Sequence, residues 1–182
     1  MPAGWDRHLE RWVVNHRWHP VDGVFVWLSR IGSWGAVWLV LALVVALVQR
    51  RPRTFVLVAI AVAAADLCSS VLKALTGVER PAYRYPSPAP LMHIPHDGSF
   101  PSGHAATSFA CATVLSAAVP PSVRRWAAPL FYLLAVAIAF SRVYVGAHWV
   151  LDVVAGAVLG VAIALLLLAA DRRRSARPPR SG

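Results

Sequence analysis

Two short stretches of this chain carry residue types that can do chemistry. In Ser99-Phe100-Pro101-Ser102-Gly103-His104, a polar, proline-rich loop gives way to an apolar run that begins at Ala105. Pro101 suits the first turn of a helix. Ser102 and His104 then bring a hydroxyl and an imidazole beside free helix-end N–H groups, and Gly103 lets backbone come close to a ligand. That is an anion site in outline, and phosphate is the anion it fits. Further on, His148 and Asp152 stand four residues apart, so on one helix they share a face. A carboxylate bonded to one ring nitrogen fixes the tautomer and frees the other nitrogen as nucleophile or base. Each feature alone also reads as structure, a helix cap in one case and a satisfied polar pair in the other. The rest of the chain decides between these readings.

Hydrophobic residues make up 58% of the 182 residues and charged ones 14%, which is far from a soluble average. The apolar residues gather into runs, so an all-α integral membrane protein is expected. Five spans are read: Trp34–Val48, Phe55–Leu75, Ser102–Val119, Trp126–Phe140, and one from near His148 to Ala170. Val21–Ile31 is apolar but too short to cross, and reads as a re-entrant or surface segment; if it crosses, the spans number six. Residues 3–19 mix tryptophan with arginine and place Leu9, Trp12 and Val13 on one face, the pattern of an interfacial amphipathic helix. Trp5, Asp6, Arg7, Glu10 and Arg11 stand where a signal peptide would be apolar, so none is expected. The organisation is an N-terminal interfacial segment (1–32), a membrane-embedded domain (33–170) and a basic tail (171–182) expected to be disordered. Cys68 and Cys111 fall within apolar runs and read as small buried hydrophobes. The net charge of +10 sits in short clusters between spans, which fits topology signals and anionic headgroups and argues against a nucleic-acid partner.

Span parity connects these observations. Arg50, Arg51 and Arg53, then Arg124 and Arg125, then the five arginines of the tail all fall on one side of a five-span bundle. By the positive-inside rule that side is cytoplasmic, and so is the C-terminus. Lys73, Ser102 to His104, Arg142 and His148 are the span ends on the other face. Cations delivered to one face by several spans are suited to gathering around a dianion. Tyr83, Tyr85, Tyr144 and Trp149 read as an interfacial belt. Asp66, two turns before Lys73, reads as bonding within the bundle. His93, His96 and Asp97 read as a solvated loop or a headgroup contact.

Three motifs stand in order. Lys73-Ala-Leu-Thr-Gly-Val-Glu-Arg80-Pro81 has the form KxxxxxxRP, Pro101 to His104 reads PSGH, and Ser141 to Asp152 reads SRxxxxxHxxxD. Together they resemble the signature of the type 2 phosphatidic acid phosphatase superfamily, the lipid phosphate phosphatases. The resemblance covers roughly residues 30–170. It implies that Lys73, Arg80 and Arg142 bind phosphate, with the Ser102 hydroxyl and the Gly103 N–H. It implies that His148 is the nucleophile of a phosphohistidine intermediate, that Asp152 orients it, and that His104 is the general acid. It further implies a membrane lipid as substrate and no metal ion or other cofactor.

Phosphoryl transfer is mostly positioning and electrostatic clamping, so fixed cations and a helix N-terminus suit it. The small size and outward-facing site suit a bacterial plasma membrane, with the active site extracytoplasmic. Ile94 to His104 looks like the equivalent stretch of small bacterial undecaprenyl diphosphatases, although those often carry Asp where this chain has Gly103. A polyprenyl diphosphate is therefore the first substrate expected, with phosphatidylglycerophosphate and phosphatidic acid as alternatives. Vanadium haloperoxidases share the motifs but are larger and soluble. A catalytically silent lipid-binding relative would be expected to lack His104, His148 or Asp152, and all three are present. A transporter would place polar residues at mid-span in several helices, and only Asp66 qualifies.

Overall fold

The computed structural model describes residues 3–175, and every regular element among them is helical. In chain order these are α1 (Gly4–Asn15), α2 (His19–Ile31), α3 (Ala36–Gln49), α4 (Pro52–Thr76), α5 (Pro81–Arg84), α6 (Gly103–Ala118), α7 (Pro121–Tyr144) and α8 (Val150–Ser175). A 3-10 turn, Ser33–Gly35, joins α2 to α3. Proline supplies the first residue of α4, α5 and α7, where its missing N–H goes unbonded anyway. α4 stops at Gly77, whose φ of 56° only glycine adopts without cost.

Helix α6 is the axis of the bundle. Ala105, Ala106, Ala110, Cys111, Ala112, Val114 and Leu115 are all buried, and α4, α7 and α8 pack around them. Small residues on α6 meet small residues on α8. A Cβ on Gly156 would overlap the Ser102 carbonyl oxygen, and one on Gly160 would overlap the carbonyl oxygen of Ala106. This glycine pair, four residues apart, is a small-residue seam that lets two backbones touch. Gly160→Val should therefore destabilise the fold by about 1–3 kcal/mol, read as a drop of several degrees in the unfolding temperature of detergent-solubilised protein. Trp38 Nε1 donates to Ser108 Oγ at 3.1 Å and ties α3 to the axis, while Thr113 and Tyr132, 2.9 Å apart, tie α7 to it.

α4, α7 and α8 are each long and apolar enough to cross a membrane, and α2 with α3 adds a fourth crossing if that pair, bent by 61°, counts as one. The sequence led to five or six. The difference lies in α6 and in the α2–α3 pair. α6 has 16 residues, short of a full span, and its neighbours cover it. Val21–Ile31 forms the body of α2 and leans on α7. α1 lies against α7 and α8, with Asp6, Glu10 and Val14 turned inward and Trp5, Leu9 and Trp12 exposed.

The two ends of the bundle differ. Arg50, Arg51, Arg53, Arg124 and Arg172 collect at one, where Arg53 Nη2 lies 2.6 Å from Asp171 Oδ1. The motif residues occupy the other. α8 continues helically to Ser175, and the remainder of the expected tail, 176–182, lies outside the described residues.

Candidate active site

Four helix ends and two loops build the site. Lys73 is in the last turn of α4, Arg80 immediately precedes α5, and Ser102 caps α6. Arg142 is in the last turn of α7, and Asp152 is in the first turn of α8. Pro101 lies outside α6, before the cap, and not in its first turn as expected; its place is set by the Ser102 Oγ, which accepts from the Ala105 N–H. The Ser102 N–H donates to the Asp152 carbonyl at 2.9 Å, which fastens the PSGH loop to α8.

His148 also departs from expectation. It does not share a helix with Asp152 but sits in the loop ahead of α8. Gly146, at φ 82°, turns that loop, and the N–H groups of Ala147 and His148 return to the Arg142 carbonyl at 3.0 and 3.2 Å. The pairing survives the change: His148 Nδ1 is 3.3 Å from Asp152 Oδ2. The same carboxylate accepts from the Trp149 N–H at 2.9 Å, so Asp152 caps its own helix while holding the ring.

His148 Nε2 lies 3.2 Å from Arg80 Nη1. Arginine can only donate, so Nε2 is the acceptor and the ring proton is on Nδ1, facing Asp152. Burial, with the Arg80, Arg142 and Lys73 cations around it, pushes His148 well below the usual imidazole range, and the ring is neutral. The Nε2 lone pair of a neutral imidazole thus faces a guanidinium.

His104 Nε2 is 3.1 Å from the Ser29 carbonyl and 3.4 Å from Ser33 Oγ, which leaves Nδ1 free. Arg142 Nη1 donates to Ser29 Oγ, and to Met92 Sδ at 3.4 Å. Its Nε is buried and has no hydrogen-bond partner among the described residues, a donor available to a ligand oxygen. A Cβ on Gly103 would stand 3.1 Å from Ser69 Oγ and 4.0 Å from Lys73 Nζ, so a side chain there would crowd the space before the lysine. All eight residues expected at the site are brought to one end of the bundle.

A cavity of about 540 Å³ opens onto this end. Lys73, Asp97, Gly103 and His104 line its polar part; Leu39, Ala59, Val62 and Ala63 line its apolar part. Asp66 also lines it, exposed and with no side-chain hydrogen bond among the described residues, where the sequence suggested a bond within the bundle. Lys73, two turns further along α4, bonds Asp97 instead.

Three contributions were not legible in the sequence. Asp97 binds both Lys73 and Arg80, although it reads as one of several polar loop residues. Ser29, a lone serine in an apolar stretch, supports both Arg142 and His104. Asp6 on α1 accepts from the Leu151 N–H at 3.0 Å and so caps α8 from 145 residues away. The tyrosine and tryptophan belt is corrected in part. Tyr144 and Trp149 are buried, because their polar tips bond Asp22 Oδ1 (2.8 Å) and the Glu79 carbonyl (2.8 Å).

This constellation at one end of a membrane helix bundle is that of a lipid phosphatase, and the chain belongs to the PAP2 superfamily, whose family model matches residues 54–176. Among its relatives, the undecaprenyl-diphosphatase of Sulfolobus acidocaldarius is 33% identical over 147 residues, 80% of this chain and 68% of that protein. The decaprenylphosphoryl-5-phosphoribose phosphatase of Mycobacterium tuberculosis is 30% identical over 141 residues, 77% of this chain and 75% of that one. A crystal structure of a transmembrane PAP2-type phosphatidylglycerolphosphate phosphatase from Bacillus subtilis has the same fold. Its TM-score is 0.76 at 24% identity, over 96% of this chain and 87% of that one.

Proposed function

We propose that the protein removes the terminal phosphate of a polyprenyl phosphate or diphosphate, with undecaprenyl diphosphate as the first candidate, through a phosphohistidine and without a metal ion. The observation that carries this reading is His148, with Nδ1 held by Asp152 and Nε2 held 3.2 Å from an arginine. Lys73, Arg80, Arg142, Ser102 and the Gly103 N–H receive the phosphate oxygens and hold charge that a metal holds elsewhere. Nε2 attacks the terminal phosphorus, and the bond from that phosphorus to its ester oxygen (monophosphate) or bridging oxygen (diphosphate) breaks. The electron pair leaves on that oxygen, which takes a proton from His104 and departs as the lipid alcohol or, from a diphosphate, as the lipid monophosphate. Water then attacks phosphorus as His104 takes its proton, the phosphorus–nitrogen bond breaks, and inorganic phosphate departs. The apolar stretch of the cavity takes the chain of the lipid. Two of the relatives named above act on polyprenyl lipids, which supports that choice of chain.

The arginine-rich end of the bundle is the cytoplasmic one by the positive-inside rule. The site therefore faces outward from a bacterial plasma membrane, and the C-terminus lies inside. Residues 33–170 form the catalytic unit, with 1–32 as its interfacial segment. The test is phosphate release by purified protein in EDTA from undecaprenyl diphosphate, phosphatidylglycerophosphate and phosphatidic acid. Undiminished release in EDTA, fastest from the polyprenyl lipid, is expected. Release that requires an added divalent cation overturns the metal-free mechanism, and a preference for phosphatidylglycerophosphate or phosphatidic acid replaces the substrate.

A further inference from the structure

The cations expected to bind phosphate are already occupied. Asp97 Oδ2 lies 3.1 Å from Lys73 Nζ, and Asp97 Oδ1 lies 2.7 Å from Arg80 Nη2. The Asp97 carbonyl also accepts from Arg80 Nε at 3.1 Å. One residue thus fills the whole Nε–Nη2 edge of the guanidinium, the edge that a carboxylate or phosphate uses for bidentate binding. The other terminal nitrogen, Nη1, is spent on His148 Nε2 and on the Ala147 carbonyl at 3.0 Å. Asp97 is also placed to be displaced. Its side chain is 47% exposed and lines the cavity, whereas His148 and Arg80 are each 2% exposed and do not. Asp97 lines the cavity, Arg80 is bonded to Asp97, and His148 is bonded to Arg80.

We infer that Asp97 is a resident counter-anion that changes places with phosphate. In the empty site it neutralises Lys73 and Arg80 and holds them in position. An entering phosphate takes those donors, and Asp97 swings toward the solvent. After hydrolysis Asp97 returns to the two cations and expels inorganic phosphate. Two cations and a backbone N–H cluster with nothing to compete for them would keep an inorganic dianion tightly, so an internal competitor weakens product binding and speeds release. The physical state of Asp97 suits this: burial opposes its charge, but the Arg80 hydrogen bond and the Arg80 and Lys73 charges hold it below the usual carboxylate range. It is an anion across the neutral range.

This inference rests on the phosphatase reading, and phosphate affinity tests it independently of turnover. Asp97→Asn keeps the shape and removes the charge; Asp97→Ala removes the contact as well and serves if the asparagine variant does not fold. Inorganic phosphate is titrated calorimetrically into each detergent-solubilised protein, and kcat and KM are measured on the lipid. Exchange requires the variant to bind phosphate at least about tenfold more tightly, with KM and kcat both reduced because release has slowed. Unchanged or weaker phosphate binding means that Asp97 only props Lys73 and Arg80 in place, and the inference falls. Absence of phosphate binding by both proteins also overturns it. Hydrolysis of no lipid, with phosphate binding that still tightens in the variant, retains the exchange and removes the phosphatase reading.

Discussion

His148→Ala is expected to lower kcat by about 10⁴-fold or more on the lipid substrate. Among the described residues no other side chain offers a ring nitrogen with a carboxylate on one side and an arginine 3.2 Å away on the other. The cations and the α6 N-terminus would still bind phosphate, so substrate binding should outlast catalysis. Rapid acid-free denaturation of enzyme mixed with ³²P-labelled lipid should show label on the wild-type chain, stable to base and lost in acid as a phosphohistidine is, and none on the variant. Equal turnover by the two proteins would remove His148 from the mechanism, and an unlabelled wild type that turns over would replace covalent transfer by direct attack of water.

His104→Ala is expected to cost about 10²–10⁴-fold in kcat, the range for a positioned general acid. The loss should depend on the leaving group. In a lipid monophosphate the polyprenyl or acyl-glycerol oxygen leaves as a strongly basic alkoxide unless it is protonated. The bridging oxygen of a diphosphate, by contrast, leaves on a weakly basic lipid phosphate, and p-nitrophenolate leaves readily without a proton. The variant should therefore form phosphoenzyme from p-nitrophenyl phosphate nearly as fast as wild type in the first turnover, and lag in the second, when water must be activated. A uniform loss on both substrates would assign His104 to phosphate binding. Ser29 makes the same point from outside the motifs, because its carbonyl fixes the ring through Nε2 and leaves Nδ1 for the proton.

The chain's polar residues, their order and the apolar runs that carry them could be read from sequence, because that information is local. An apolar run declares a helix by its length, and a charged residue at its end is either before or after the crossing. The structure places Lys73, Arg80, Ser102, Gly103, His104, Arg142, His148 and Asp152 together at one end of the bundle, on the helix ends and loops where the sequence has them. The type of the fold followed for the same reason. The resemblance carried by the three motifs then named the family, since their residue types and spacing leave few other chemistries.

Tertiary structure decided what depends on which neighbour arrives. α6 could stay at 16 residues because α4, α7 and α8 enclose it, and a linear hydropathy reading cannot see that cover. The loop turn at Gly146, with returning N–H bonds to Arg142, put His148 outside α8, although its spacing to Asp152 matches one helix turn. Trp149 and Tyr144 went inward because Glu79 and Asp22, far away in sequence, supply acceptors for their tips. Asp6 capping α8, Ser29 beneath Arg142 and Asp97 across Lys73 and Arg80 are pairings of the same kind. A polar side chain in a membrane protein has to find a partner, and sequence states that need at each position. Only the packed chain determines which group meets it.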